Sequence, residues 1–367
     1  MKKIVFSVFV LASMATPAWA QTPPAAPAPP PPSIEIGGLA DLYYDYYSTK
    51  PSGDATFRNF DTRHNQFALS MAQVWLAKAP TADSRIGFKF KLNFGPASSN
   101  FIHAAEPGGS PYQNIQEAYI SYLAPAGRGL QVDAGVFVTP AGAEVIEAKD
   151  NINYSRGLLF ALAIPYYHSG VRVTYAASDK ISIMGGLTNG WNNIVDNNSG
   201  KTLLGSVTFK PSARYSVTGN YLLGPEQKGD SDNFRHLVDV IGTLAVTPRI
   251  TITANWDYGR EATGPDTSVK WTGLAGYAKI QVSPTVSFSP RFELYDDPDG
   301  FTTGTVQTLK EITGTFEIKA ADNLAWRIEL RNDSSDVKPF RDEAGNPKGS
   351  QTSIGFGLLF SFSAKVQ

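Results

Sequence analysis

From residue 33 onward, apolar and polar side chains alternate with a period of two. In 85–94 (RIGFKFKLNF), Ile86, Phe88, Phe90, Leu92 and Phe94 share one face, and Arg85, Lys89, Lys91 and Asn93 share the other. That is the pattern of a strand with one apolar and one polar side. It returns at 249–258, where Ile250, Ile252 and Trp256 oppose Thr251, Asn255 and Asp257, and at 324–331, where Trp326, Ile328 and Leu330 oppose Arg327, Glu329 and Arg331. Segments 285–295 and 354–362 repeat it. Sixteen such segments are traced, at 33–46, 63–78, 84–95, 113–124, 129–138, 167–176, 180–190, 201–210, 213–223, 235–246, 249–259, 269–282, 284–296, 306–319, 323–334 and 351–363.

The connections alternate short and long. Short ones centre on turn-forming residues such as Pro125-Ala126-Gly127, Pro211-Ser212 and Ala321-Asp322. Long ones cover 47–62, 96–112, 139–166, 191–200, 224–234, 260–268, 297–305 and 335–350. This alternation predicts an all-β fold: a closed antiparallel transmembrane β-barrel of about sixteen strands, with short turns and both termini on the periplasmic side. Closure matters because unpaired sheet edges cannot be satisfied in lipid. Sixteen strands leave a lumen wide enough for water. Phe209, Tyr215, Trp326 and the quartet Tyr43, Tyr44, Tyr46 and Tyr47 are expected in the interfacial aromatic girdles.

The first residues read differently. Lys2 and Lys3, the apolar run 4–15 and Ala18-Trp19-Ala20 predict a signal peptide over 1–20. The Pro-rich stretch 21–32 predicts an extended periplasmic linker, leaving 33–367 for the barrel. Mean hydropathy is −0.18, a value that alternation produces by averaging the two faces.

Lys and Arg number 32 against 33 Asp and Glu, so no net basic field favours nucleic acid. Cysteine is absent, which excludes disulfides, Cys-ligated metals and Cys nucleophiles. His64, His103, His168 and His236 are too scattered for a zinc motif. Gly200-Lys201-Thr202 lacks the first glycine of a phosphate loop, since Val195 stands there. No catalytic residue, metal site or cofactor is expected. The acidic run Asp296-Asp297-Pro298-Asp299-Gly300 reads as a turn, although an oxygen-rich cluster would suit Ca²⁺.

Strand parity directs Lys89, Lys91, Glu117, Asp133, Arg172, Arg291, Glu293, Arg327, Glu329 and Arg331 into the pore, together with Arg85, Asp239, Asp257, Glu311 and Glu317. The two signs nearly balance, which argues against strong ion selectivity. Glu311 and Glu317 are expected opposite Arg327 and Arg331. The longest connection, 139–166, is too apolar for a solvated tip, carrying Leu158, Leu159, Phe160, Leu162 and Ile164. It is expected to fold into the lumen as a constriction, with Glu144, Glu147, Lys149, Asp150 and Arg156 setting its size and charge.

The segment Pro140 … Glu144-Val145-Ile146-Glu147 … Asn153-Tyr154-Ser155-Arg156 … Pro165-Tyr166-Tyr167-His168-Ser169-Gly170-Val171-Arg172, followed by Asn189-Gly190-Trp191-Asn192, resembles the OmpL-like putative beta-barrel porin family of Gram-negative outer membranes. The resemblance implies an outer-membrane channel for passive diffusion of small hydrophilic solutes. It carries no catalytic or ligand residues with it. One departure is the last strand, where Phe362 is followed by Ser363-Ala364-Lys365-Val366-Gln367 instead of ending the chain. Two alternatives stay open: a substrate-specific channel for an anionic or sugar-like solute, and a structural or adhesive barrel with a plugged lumen. Expected partners are outer-membrane lipid, lipopolysaccharide and small solutes, with a homotrimer by analogy to other sixteen-stranded porins.

Overall fold

The computed structural model describes residues 33–106 and 110–366. The signal peptide and linker expected over 1–32 lie outside the described residues. The strands are β1 Ile34–Tyr47, β2 Phe67–Lys78, β3 Ile86–Phe94, β4 Ile115–Ala124, β5 Leu130–Val138, β6 Tyr167–Ala176, β7 Ile181–Thr188, β8 Thr202–Ser212 and β9 Tyr215–Pro225. They continue with β10 Phe234–Thr247, β11 Ile250–Gly264, β12 Thr267–Ser283, β13 Val286–Asp297, β14 Gln307–Ala321, β15 Leu324–Ser335, the short β16 Phe340–Arg341 and β17 Pro347–Lys348, and β18 Ser350–Val366. β1 to β15 and β18 form one closed antiparallel barrel of sixteen strands. β16 and β17 make a separate hairpin inside the last long loop.

Closure joins β1 to β18, with Ile34 opposite Val366 and Tyr47 opposite Ser353. β18 runs past Phe362, which faces Gly38, so the residues after the last aromatic still belong to the ladder. Closure leaves the barrel itself without a free strand edge.

One predicted loop is absent. In place of a long connection at 260–268, β11 and β12 stay paired to Gly264 opposite Thr267. Only Pro265 and Asp266 turn the chain. The residues there are polar because the hairpin has left the apolar belt, and its backbone ladder simply continues beyond it.

The outer face is apolar and exposed. Phe90, Leu92, Ile252, Trp256, Phe292, Ile328, Leu330 and Phe362 all point outward. So large a continuous apolar belt marks a lipid contact. Phe209, Tyr215 and Trp326 are exposed at the short-turn ends, as interface aromatics should be. The Tyr quartet of β1 divides by parity: Tyr46 faces out, whereas Tyr43 and Tyr47 are buried in the lumen beside Asp41 and Asp45. Ile328 lies at the centre of the β15 belt, between Trp326 and Leu330. Ile328→Arg is expected to cost about 2–4 kcal/mol of stability in lipid, read as a lower urea midpoint for unfolding from liposomes.

Candidate functional site

Residues 139–166, between β5 and β6, hydrogen-bond to side chains of β10, β11, β13 and β15. Their apolar side chains need burial, and their backbone needs partners that the inward charges of the wall provide. At the entry, Gly142 N–H donates to Asp239 Oδ1 of β10 (3.1 Å) and Ala143 N–H donates to Asn255 Oδ1 of β11 (2.9 Å). Glu144 accepts from Arg291 Nη1 of β13 (2.7 Å) and from Gly157 N–H (2.6 Å). Three carbonyls, of Ala148, Asn151 and Asn153, accept from Arg327 of β15 at 2.6–2.7 Å. The Tyr154 and Ser155 N–H groups donate to Glu329 of β15 (2.7 and 3.1 Å). The Ser155 and Arg156 carbonyls accept from Arg291 and Arg331 (2.6 Å each).

The short helix α1, Leu158–Leu162, follows. The Glu293 carboxylate meets the Leu158 and Leu159 N–H groups. It thereby satisfies donors that a helix start leaves without intrahelical acceptors. Any side chain at position 157 would collide with that carboxylate, so the approach requires Gly157. Leu158, Leu159 and Phe160 are buried against Phe60 of the first long loop and Ile102 of the second. Arg156 stacks over Phe60 at 4.5 Å. The segment is therefore fixed to the wall by charge and covered by two other loops through apolar packing. Phe60 and Ile102 carry one signal in the sequence, that of large apolar residues inside otherwise polar loops.

The other end of the span is held by Glu147. It accepts from Lys91 Nζ (2.7 Å), Gln116 Nε2 (2.7 Å) and Gln73 Nε2 (3.1 Å). Burial pushes its carboxyl up. The Lys91 charge and these hydrogen bonds outweigh burial and hold it down at about 2. A carboxyl depressed in the folded state gives stability that is present above its unfolded value of 4.5 and is lost as pH falls through the folded one. The Glu147 anchor is accordingly expected to stay intact from neutral pH to about pH 4.5 and to weaken only between there and about pH 2. Single-channel conductance recorded down a pH series checks this. A change above pH 5 that Glu147→Gln abolishes would contradict it.

Most of the charges that strand parity directs toward the pore are buried, and several bond to the 139–166 segment. Arg291, Glu293, Arg327, Glu329 and Arg331 are at most 4% exposed, and Glu117, Asp133, Glu144, Glu147 and Arg156 are buried as well. The wetter ones are Lys89, Lys91, Lys149, Asp150 and Arg172; the Asp150 side chain is 52% exposed. Many of these charges form ion pairs. Lys89 meets Glu117 (2.8 Å), Arg172 meets Asp133 (2.9 Å), and Lys149 meets Asp150 (2.8 Å). Arg327 pairs with Glu317 directly across the ladder (2.5 Å). Arg331 faces Thr313 instead and reaches Glu311 diagonally (3.8 Å), while Arg291 is closer to Glu311 (3.1 Å). Lys89, Lys91, Arg156 and Arg172 each lie within 4 Å of a carboxylate.

Two open cavities lie against Lys149 and Asp150. One, about 750 Å³, is lined by Lys279, Glu317, Lys319 and Asn323. The other, about 390 Å³, is lined by Trp75, Lys89, Tyr119 and Gln131. In the seventh long loop, Asp297 accepts from the Phe301, Thr302 and Thr303 N–H groups (2.8–3.0 Å), so the acidic run is a hydrogen-bonded turn. His168 joins Gly190 O (2.9 Å) to Thr139 Oγ1 (3.3 Å). It is a buried tether between loops.

The model of the family described as "Putative beta-barrel porin-2, OmpL-like" matches residues 33–362. No curated protein matches the sequence. Among solved structures, the trimer form of OmpT, an outer membrane protein of Vibrio cholerae, is similar with a TM-score of 0.61 at 10% identity, covering 90% of this chain and 99% of its own. An anion-selective porin from Comamonas acidovorans gives 0.60 at 13% identity, covering 90% and 99%. The outer membrane channel DcaP of Acinetobacter baumannii gives 0.59 at 12%, covering 90% and 97%. At such identities the likeness is one of fold.

Proposed function

Because the chain belongs to the OmpL-like putative beta-barrel porin-2 family, we propose that it is an outer-membrane porin passing small hydrophilic solutes by diffusion, its lumen narrowed by the 139–166 loop. Family and fold together imply the outer membrane as its location. The observation that carries the reading is a closed sixteen-strand barrel with an apolar belt outside and open cavities lined by Lys89, Lys149, Asp150 and Lys279. Such a barrel needs no catalytic group: flux follows from pore width and the charge lining it. Glu144, Glu147, Lys149, Asp150 and Arg156 belong to the constricting segment, of which Lys149 and Asp150 meet the solute. Both termini are assigned to the periplasm and the long loops to the exterior, with 1–20 as signal peptide and 21–32 as linker. A homotrimer is proposed by analogy with the trimeric neighbour.

The extensive burial of Arg291, Arg327 and Arg331 favours a second reading, a plugged structural barrel. Planar-bilayer recording of the refolded mature chain separates the two. Discrete ohmic steps with weak ion preference are expected, since the inward charges pair internally. A well-inserted but electrically silent barrel would establish the plug.

A further inference from the structure

The smaller of the two open cavities, about 390 Å³, falls within the roughly 300–1,000 Å³ of small-molecule sites. Its floor is Trp75 of β2, which stands opposite Gly37 of β1. Any side chain at position 37 would collide with the indole, so one side of the ring lies on the β1 backbone. The ring edge is held as well, because Nε1–H donates to Glu35 Oε1 (3.0 Å). The rest of this half-buried ring lines the cavity, together with Tyr119 of β4. Two ammonium groups stand over the indole, Lys91 at 5.9 Å and Lys149 at 6.0 Å from its centroid. Pro80 of the β2–β3 turn and Lys149 of the 139–166 segment share the lining, so the cavity lies between that segment and the short-turn mouth.

Charge in this lining is spent pairwise. Lys89 meets Glu117 (2.8 Å), Lys91 meets Glu147 (2.7 Å) and Lys149 meets Asp150 (2.8 Å). The two other charged groups on the lining, Glu35 and Lys78, are of opposite sign. An ionic solute would therefore have to break a pair. Hydrogen-bonding capacity is not spent. An ammonium carries three donors, and among the described residues Lys89 and Lys149 each pair with one carboxylate and stay part-exposed. Asp150 and the Gln131 amide add acceptors. An aromatic floor with donors and acceptors around it and no net charge suits a pyranose, whose C–H face packs on a ring and whose hydroxyls both donate and accept. Resting on the porin reading, we propose that this cavity is a subsite for an uncharged saccharide. Trp75 packs under the sugar ring, and Lys89, Lys149 and Asp150 bind its hydroxyls. A solute that has passed the 139–166 segment dwells there before it leaves.

The test is saturation-transfer NMR on the refolded barrel in a detergent without a sugar headgroup, with maltose, uridine and succinate as probes. Heat-modifiable migration on gels checks that each variant closes. Transfer to maltose is expected in the wild type, with affinity weakened about tenfold in Trp75→Ala and about threefold in Lys149→Met. Lys149 lies in a loop and part-exposed, so Lys149→Met carries the test if loss of the indole from Gly37 keeps Trp75→Ala from closing. Succinate is expected to show no transfer. Absence of transfer to maltose, or equal affinity in the wild type and both variants, would overturn the proposal. Transfer to succinate or uridine alone would overturn it in favour of an anion or a flat base. Binding is read in micelles and needs no current. A conducting barrel that binds no maltose loses the subsite and keeps the porin reading, whereas a silent barrel that binds it keeps the subsite and loses the porin reading.

Discussion

Arg291→Ala is expected to release the 139–166 segment from the wall and to raise both conductance and open-channel noise. The Arg291 guanidinium is fully buried. It lies 2.7 Å from Glu144, 3.1 Å from Glu311 and 4.0 Å from Glu293, and it also donates to the Ser155 carbonyl. Removing one partner of a buried ionic group costs about 3–5 kcal/mol, because the remaining charges stay desolvated. Here three carboxylates would be left around one gap. The β13 backbone ladder does not depend on the side chain, so the barrel has a cheaper response than unfolding: the loop lifts and water solvates the carboxylates. The gel shift of the closed barrel should persist while the current changes. Arg291→Lys should give an intermediate phenotype, since an ammonium cannot bridge Glu144 and Glu311 with a planar fork. Wild-type conductance in Arg291→Ala would mean that this ionic lattice does not hold the constriction.

Deleting 144–156 is expected to raise conductance several-fold and to admit larger uncharged solutes in liposome-swelling assays. The deletion removes half or more of the partners of Arg291, Arg327, Arg331 and Glu329. Those charges would then face bulk water, so they would be hydrated and would carry no penalty of the kind that follows a point deletion in a dry site. Every strand pair is retained, with closure through β1 and β18 untouched. A closed barrel with unaltered conductance would show that some other segment sets the limiting radius, the first long loop with Phe60 being the next to remove.

Much of the molecule was legible because two physical demands write directly into the chain. Lipid outside and water inside impose strict alternation, so strands such as β3 and β15 could be located to within a few residues. Parity also sorted the charges: it placed Lys89, Arg291 and Arg327 on the strand faces opposite the lipid belt. The same rule contained the answer for Tyr43 and Tyr47, which share a face with Asp41 and Asp45. There the count of aromatics outweighed their register. The hairpin of β11 and β12 escaped because polarity reports where a strand leaves the membrane, and hydrogen bonding continues past that point.

The residues by themselves therefore determined a sixteen-strand barrel, its lipid belt and a loop too apolar to stay in water. Alternation and composition are local properties, fixed by which solvent each side chain must meet. Only the tertiary structure decided that Arg291, Arg327 and Arg331 clamp backbone carbonyls of that loop, and that Lys149 and Asp150 stay wet. Those pairings join positions far apart in the chain, and strand periodicity holds no information about which carbonyl will lie beneath which guanidinium.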